Sequence, residues 1–201
     1  KLVNERNSPL KNKKVVFTFN GKDLSATTND KGVAKVNLDI LSKGTHSIKF
    51  QYGTVTGSAK IYVISKVPIK DIIKAARSVK SYISKNAKLP SSVKIGDVSF
   101  KTADYLYLAS KAIINLKAGS TKDVSLKILD NPKKPQDATN LGYLRNYLGV
   151  AKSVVKTADA KGILPDYVTT SAGQMGYKGI VSTLSNVLVY YGSHNNKMPT
   201  Y

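Results

Sequence analysis

The side chains that usually carry catalytic or metal chemistry are scarce in this chain. It contains no cysteine, two histidines (His46 and His194) and one glutamate, Glu5. Without cysteine there is no thiolate nucleophile, no disulfide and no cysteine-ligated metal. Two isolated histidines lack the ligand spacing of a zinc site, and no carboxylate pair suggests a general acid and base. The sequence therefore predicts a protein that is not an enzyme and that uses no cofactor or metal.

Lysine and tyrosine, by contrast, are abundant. The chain carries 32 Lys and Arg residues against 12 Asp and Glu, a net charge of +20, and it has 12 tyrosines and no tryptophan. This charge favours a polyanionic partner, such as a nucleic acid, an acidic wall polymer or an anionic membrane, over a basic surface that serves only solubility. Tyrosine offers an apolar face to sugars and a hydroxyl to peptide groups, although tyrosines at helical spacing also act as core residues.

Two of these partner classes find no further support in the sequence. The lysines are dispersed, arginine occurs only as Arg6, Arg77 and Arg145, and no nucleic-acid-binding motif is present, so we expect no nucleic-acid partner. No apolar run approaches the ~20 residues that span a bilayer, so we expect no membrane-spanning segment. No predicted helix combines a dense basic face with Phe or Trp, as a helix lying on a membrane would.

The predicted helices that position these side chains end at a short sequence pattern, which we call the phrase and which is repeated along the chain. Residues 89–93 and 164–168 share the pattern Leu-Pro-x-x-Val, and residues 198–201 begin it again with Met-Pro. Because proline cannot continue a helix, each phrase predicts a helix stop followed by an extended strap. The offset of about 75 residues between the first two copies also superposes apolar positions of the flanking helices, which indicates a tandem repeat.

A second internal alignment extends this pattern to the end of the sequence. Tyr82 and Asn86, before the first phrase, correspond to Tyr191 and Asn195, before the last one. A third copy is therefore predicted to begin within residues 180–201. We expect the chain to be a C-terminal fragment of a longer protein, whose other domains could contact other cells.

Residues 1–66 are predicted to form an all-β domain. The run at residues 14–19 is β-branched and aromatic, and Asn20-Gly21 is a strong signal for a tight turn. Apolar and polar side chains alternate along residues 33–40, which is typical of a half-buried strand. Short strands with turns at this spacing favour a sandwich.

The same region resembles the bacterial-type immunoglobulin-like repeats of surface adhesins. A turn followed by Gly-Val-Ala occupies residues 28–34, and a Gly-Thr-x-x-Ile strand occupies residues 44–48. The resemblance covers roughly 60 residues. It implies an immunoglobulin-like sandwich that serves as a stalk spacer.

Residues 67–201 are predicted to be a mainly α-helical tandem-repeat module, with repeats at about 69–117 and 140–192. Apolar stripes at helical spacing mark the helices. Ser99 is predicted to cap the second helix, and glycines are predicted at helix ends, among them Gly119 and Gly162. The predicted fold is thus two domains, an all-β immunoglobulin-like sandwich followed by a helical repeat module.

The second region resembles the pseudomurein-binding repeats of methanogenic archaea. The resemblance rests on a helix, the pattern Asn-x-x-Leu-Pro-x-x-Val and a second helix with the aromatic-leucine segment 105–108, and on residues 164–168 followed by 173–177. It covers about two-thirds of the chain. It implies non-catalytic binding of pseudomurein, an anionic glycan with glutamate-containing peptide stems, and hence an extracellular location in the cell wall.

Several roles are compatible with this resemblance. The chain could anchor an adhesin-like surface protein to the wall. It could instead be the wall-targeting region of a pseudomurein-cleaving cysteine peptidase whose catalytic domain lies outside the fragment. Binding of polyanions or nucleic acid by charge alone is a third, weaker alternative.

The predicted contact residues lie around the straps and the helix starts, because loops on a helical scaffold concentrate binding residues. The prolines Pro90 and Pro165 are expected to be architectural. The predicted contacts are Tyr82, Lys85, Lys88, Lys94, Tyr107, Tyr167, Gln174 and Tyr177.

Overall fold

The computed structural model describes residues 1–38, 44–136, 146–171 and 173–200. Their contacts divide the chain into two compact units, Lys1–Ile64 and Ser65–Tyr201. The sequence analysis placed the division between residues 66 and 67. Each unit is described separately below.

The first unit contains a four-stranded antiparallel sheet in the order β2-β1-β3-β4. The predicted tight turn at Asn20-Gly21 is present, with positive φ at both residues (49° and 75°), and it joins the first two strands. The strands are β1 (Lys14–Phe19), β2 (Lys22–Thr27), β3 (Gly44–Tyr52) and β4 (Val55–Val63).

One face of this sheet is apolar, but little of it is buried. The strand register puts Phe17 opposite Phe50 and Phe19 opposite Ile48, so these side chains share a face with Val15. Among the described hydrophobic residues of this unit, only Val15 and Phe19 are buried, and Phe50 remains 39% exposed. The core of the first unit is therefore small.

The predicted immunoglobulin-like sandwich is wrong. The described part of the first unit has one sheet, and residues 33–38, predicted as a strand, pair with no other strand. The side chain of Asn29 accepts hydrogen bonds from the backbone N–H groups of Lys31 (3.0 Å) and Val33 (3.1 Å). This local turn competes with strand pairing, so the alternating pattern did not produce a strand. Residues 39 and 40 lie outside the described ranges.

The second unit is also not the mainly helical module that was predicted, so the chain as a whole is mixed α/β. Short two-stranded sheets lie between its helices. Its elements are β5 (Lys66–Val67), α1 (Ile69–Asn86), β6 (Ser92–Ile95), β7 (Val98–Lys101), α2 (Thr102–Lys117), β8 (Val124–Ser125), α3 (Tyr147–Lys161), β9 (Tyr167–Thr170), β10 (Gly173–Gly176) and α4 (Tyr177–Ser193).

The largest error concerns the segments after the straps, which form β-hairpins. Hairpin 1 joins β6 to β7 and hairpin 2 joins β9 to β10. Gly96 makes the turn of hairpin 1 with a φ of 59°. Ser99 consequently lies in β7 and does not cap α2, which begins at Thr102 without a side-chain cap.

The second unit consists of two similar halves, which we call half 1 (residues 69–117) and half 2 (residues 147–193). Each half is a helix, a hairpin and a second helix, and the hairpins and second helices begin 75 residues apart in the two halves. Residues 140–145 of the predicted second repeat lie outside the described ranges. The predicted third copy, begun within residues 180–201, falls on α4 and the residues after it, and it stays a prediction.

The two halves pack reciprocally against each other. The first helix of each half packs mainly against the second helix of the other, α1 on α4 and α3 on α2, and α2 also packs on α4. The Arg77 guanidinium on α1 donates a hydrogen bond to the carbonyl of Gly192 on α4 (3.0 Å). The hydroxyls of Tyr105 on α2 and Ser185 on α4 are hydrogen-bonded at 2.8 Å. Twelve of the 16 residues of α2 are buried, so this helix is the centre of the unit.

The buried Tyr105–Ser185 pair yields a first prediction. Ser185→Ala leaves the fully buried Tyr105 hydroxyl without a partner and should cost about 1–3 kcal/mol of unfolding free energy. Tyr105→Phe should cost less, about 1 kcal/mol, because the Ser185 hydroxyl keeps its bond to the carbonyl of Val181 (2.7 Å). Urea unfolding of the full chain, followed by circular dichroism at 222 nm, measures the effect, because the described helices all lie in the second unit.

Ser110 provides the matched control for this prediction. It lies at the same position of half 1, is fully buried, and bonds the carbonyl of Leu106 (2.8 Å) as Ser185 bonds that of Val181. Ser110→Ala should change stability by less than Ser185→Ala, because no tyrosine hydroxyl depends on it. Equal losses in both serine variants would contradict the role assigned to the interhelical pair.

Candidate functional site

The outer face of hairpin 1 carries positive charge. In this hairpin Val93 pairs with Phe100 and both are buried against the helices. Alternation along the strands directs the other set of side chains to solvent. The predicted contact Lys94 belongs to this exposed set, whose other members are Ser92, Ser99 and Lys101.

Hairpin 2 presents an aromatic and amide face at the equivalent position. Val168 pairs with Met175 and both are buried. On the opposite face, Tyr167 is 39% exposed and Gln174 is exposed. These two predicted contacts therefore share a solvent-facing surface with Thr169, the partner of Gln174 in the register. Such a surface can stack on a sugar and hydrogen-bond an amide or hydroxyl group.

Three further predicted contacts lie at the end of α1. Tyr82 is half-buried, and the side chains of Lys85 and Lys88 are exposed. Tyr82 is held through its backbone, because its carbonyl accepts a hydrogen bond from the Asn86 side chain (2.8 Å). The helix then closes at Ala87 in the left-handed conformation (φ 53°), which turns the chain into the first strap.

Tyr107 is buried in a charged cluster that also includes Asp159, Lys111 and Lys127. Its hydroxyl donates to Asp159 Oδ1 (2.9 Å), and the two lysine Nζ atoms lie 3.5 Å and 3.0 Å from the same carboxylate. Both ammonium groups also lie within 6 Å of the Tyr107 ring centroid, at cation–π distance. Tyr107 thus joins α2 to α3, and its ring is not a free surface contact.

The titration of this cluster follows from its contacts. Burial, assisted by the hydrogen bond and charge of Asp159, raises the pKa of Tyr107 to about 12. Desolvation acts to raise the pKa of Asp159, but the hydrogen bonds from Lys127 and Tyr107 and the nearby lysine charges outweigh it and hold that pKa below its usual value. Asp159 is therefore ionised at neutral pH and binds both lysines.

Tyr177, the first residue of α4, is also buried, at 7% exposure. Its hydroxyl has no hydrogen-bond partner among the described residues. Burial, together with the charge of Asp104, raises the pKa of Tyr177, so the phenol stays neutral. Asp104 itself is buried and accepts the backbone N–H of Leu129 (2.8 Å).

The structure therefore does not bring the eight predicted residues into one site. It places Lys94 on one hairpin and Tyr167 with Gln174 on the other, groups three at the end of α1, and buries Tyr107 and Tyr177. Sequence analysis missed Lys101, Ser92 and Thr169 on the outer faces. The alternation of Val93 and Ile95 with exposed residues was the signal that could have found them.

Other classes of site were sought in the same residues. The described ranges contain no group of three or more His, Asp or Glu side chains placed to hold a metal ion. None of the helices in these ranges is both long and apolar enough to cross a membrane.

Comparison of the chain with protein-family models, with curated proteins and with solved structures found no match in any of the three. The resemblance to wall-binding repeats therefore rests on the residues and motifs of the sequence itself.

The Tyr107–Asp159 cluster yields a second prediction. A carboxylate whose pKa is lower in the folded state than in the unfolded chain stabilises the folded state at pH values above its ordinary pKa of about 3.9. This contribution disappears as the pH falls through the lowered pKa. Asp159→Asn should therefore cost about 1 kcal/mol at pH 7, allowing for solvent screening of this half-exposed group, and progressively less below about pH 4. Urea unfolding from pH 7 to pH 2.5 tests this.

Asp123→Asn is the control, because Asp123 is exposed and forms no ion pair within the described ranges. It should change stability by less than about 0.5 kcal/mol across the series. A cost for Asp159→Asn that stays constant from pH 7 to pH 2.5 would show that the carboxylate charge contributes nothing.

Proposed function

We propose that this chain binds the pseudomurein cell wall of an archaeal methanogen without catalysing a reaction, and that it anchors an adhesin-like protein at the outer surface of the cell. The observation that carries the proposal is a set of exposed lysines in the second unit that no carboxylate neutralises. The resemblance of the repeats to pseudomurein-binding repeats supplies the identity of the polymer.

The lysines are spread over both halves of the second unit and the segments around them. Among the described residues, ion pairs involve only Lys111 and Lys127, both with Asp159. The exposed and unpaired lysines of the second unit are Lys66, Lys70, Lys74, Lys80, Lys85, Lys88, Lys94, Lys101, Lys117, Lys122, Lys133, Lys134, Lys152, Lys156, Lys161 and Lys197.

Dispersed lysines suit an extended anionic lattice better than a compact anionic ligand. Each surface contact contributes little free energy, about 1 kcal/mol or less, so binding requires many contacts along the polymer. The two hairpin faces belong to one unit, so binding of one face holds the other near the polymer and raises its effective concentration there. The Tyr167 and Gln174 face supplies the contacts with sugar and peptide groups that charge alone does not.

Binding of any polyanion by charge is the competing function, and the same lysines favour it. Binding by charge differs from wall recognition in two ways: it depends more strongly on salt, and it does not distinguish one anionic polymer from another. Electrostatic binding weakens steeply with salt, whereas stacking and hydrogen bonding to a specific polymer are screened much less.

A co-sedimentation experiment tests the proposed function and provides a third prediction. The full chain is mixed with purified pseudomurein sacculi, bacterial murein or DNA, each across a salt series. We expect retention on pseudomurein at salt concentrations that release the chain from the other two. Binding to all three that is lost at the same salt concentration would mean that charge alone is responsible.

Variants of the two hairpin faces locate the contacts. Replacing Lys94 and Lys101 by glutamine should weaken wall binding about fivefold to tenfold at low salt, from the loss of two weak charge contacts. The control replaces Lys152 and Lys156 on α3, which changes the net charge equally. Tyr167→Ala should weaken binding at high salt, and Tyr167→Phe should restore most of it if the ring face makes the contact. Lys152 and Lys156 also belong to the dispersed set, so equal effects of the two lysine pairs would mean that hairpin 1 makes no contact beyond those of any exposed lysine.

A further inference from the structure

The two straps are equivalent in conformation but not in what they contact. We define strap 1 as residues 87–91 and strap 2 as residues 162–166, which are 75 residues apart. Each begins with a residue in the left-handed conformation, Ala87 with a φ of 53° and Gly162 with a φ of 68°. Each then runs through Leu-Pro into the first strand of a hairpin. The carbonyl of Ala87 in strap 1 corresponds to that of Gly162 in strap 2, and it accepts a hydrogen bond from the Lys178 ammonium on α4.

Strap 2 is covered by another part of the chain, residues 130–136, which we call the linker segment. At its start the N–H of Asp130 donates to the carbonyl of Gly162, and the N–H of Leu164 donates back to the carbonyl of Asp130, both at 3.3 Å. The linker segment thus begins by pairing with strap 2 as a short parallel bridge.

The other end of the linker segment reaches the N-terminus of α4. The N–H of Lys134 donates to Asp166 Oδ1 (2.8 Å), and the N–H of Gln136 donates to the Asp166 carbonyl (3.2 Å). The carbonyl of Gln136 accepts the N–H of Tyr177, the first residue of α4 (3.1 Å). A proline-containing peptide that bends at Lys133 and Lys134 is therefore held between strap 2 and a helix start, mostly through backbone groups.

Among the described residues of the second unit, no segment pairs with strap 1 as the linker segment pairs with strap 2. The residues 75 positions before the linker segment, residues 55–61, belong to β4 of the first unit, where they pair with β3. Ser91 and Thr102 occupy the positions of Asp166 and Tyr177. Within the described ranges no other segment hydrogen-bonds to Ser91, and the Thr102 hydroxyl donates to the carbonyl of Pro90 in its own strap.

A cleft lies at this place in half 1. It is open to solvent and has a volume of about 260 Å³. Leu89, Pro90, Ser91 and Thr102 line one side, and Asn131, Pro132, Pro135 and Tyr177 line the other. The walls combine three prolines, a leucine and a tyrosine with three polar residues, so they offer a peptide both apolar contacts and hydrogen-bonding groups.

We propose that this cleft binds a carboxylate-bearing peptide along strap 1, in the way that strap 2 and the start of α4 bind residues 134–136 of the linker segment. The expected contacts are the carbonyl and hydroxyl of Ser91 and the N–H of Thr102, which correspond to the groups of Asp166 and Tyr177 that hold residues 134–136. The proposal deepens the proposed function and rests on it in one respect, because it assigns the peptide part of a wall polymer to this cleft.

The charge of the surroundings determines the preference for carboxylates. Lys88 precedes the lining residue Leu89, Lys101 precedes Thr102, and Lys133 and Lys134 lie on the linker side of the cleft; all four side chains are exposed and unpaired. Strap 1 also has Ser91 at the position where strap 2 has Asp166, whose carboxylate accepts a hydrogen bond from the linker segment. Asp166 accepts a backbone N–H of Lys134 and forms no ion pair with a described lysine, so the preference for carboxylates rests on the four lysines around the cleft.

The probe for this proposal is built from the linker segment. A fluorescent synthetic peptide of residues 130–136 with Lys133→Glu and Lys134→Glu is titrated with the full chain, and its polarisation is measured. The unaltered peptide and a scrambled peptide of the acidic composition serve as comparisons. We expect the acidic peptide to bind at least about tenfold more tightly than the other two at physiological salt. Equal binding of the acidic and scrambled peptides would overturn the proposal, because charge alone would explain it.

Substitutions at two exposed positions test whether the peptide binds along strap 1. Ser91→Asp gives strap 1 the side chain of strap 2 and should weaken binding of the acidic peptide several-fold while strengthening binding of the unaltered one. Lys88→Glu should also weaken binding of the acidic peptide. Lys74→Glu changes the charge equally but lies on α1 about 18 Å before the end of the helix, and it should have little effect. Equal effects of Lys74→Glu and Lys88→Glu, or no change of preference in Ser91→Asp, would overturn the proposal.

The failure of this proposal and that of the proposed function can be told apart. Retention on pseudomurein sacculi without specific binding of the acidic peptide would overturn the cleft proposal alone. Specific peptide binding that responds to Ser91→Asp, without retention on sacculi, would support the cleft and overturn wall binding.

Discussion

The reciprocal packing of the two halves is the constraint on which the second unit depends. The central helix α2 is buried on nearly all sides, and it is covered by α3 and α4 of the other half as well as by α1. A single half would expose much of this apolar surface to water, at about 25 cal/mol for each Å². The Tyr105–Ser185 bond and the Arg77 bond to Gly192 both cross between halves, so polar groups as well as apolar ones are satisfied only when the halves are together. One copy of the repeat is therefore not an independent folding unit.

This packing also explains why the two hairpins can differ in chemistry. Their inner residues, Val93 with Phe100 and Val168 with Met175, are buried against the helices and must remain apolar. The outer positions contact no helix, so Lys94 in one hairpin can correspond to Thr169 in the other without loss of core packing. The scaffold thus presents two faces of equal geometry and unequal charge, and surface substitutions there have small effects on stability.

The sequence predicts the repeat because a 75-residue offset superposes apolar positions, and it predicts helix ends such as Gly162 because glycine favours the left-handed conformation. It did not predict the hairpins, since strands of four residues contain too few alternations to compete with the helical period around them. The site was predicted unevenly for a related reason. Tyr107 and Tyr177 were predicted to be exposed near helix starts, but α2 is buried on nearly all sides and Tyr177 at the start of α4 is 7% exposed, which only tertiary packing decides.

The difference between the straps connects the fold to recognition. In half 2 the chain supplies an occupant for the backbone groups of strap 2, because residues 130–136, which lie between the two halves in sequence, hydrogen-bond to it. In half 1 the corresponding residues belong to β4, whose backbone groups are paired with β3. Among the described residues of the second unit, no backbone segment pairs with strap 1, while the helix start at Thr102 keeps its positive end. A binding groove can thus arise in a repeated fold without new elements, since removing one linker from one copy exposes the surface that the other copy covers.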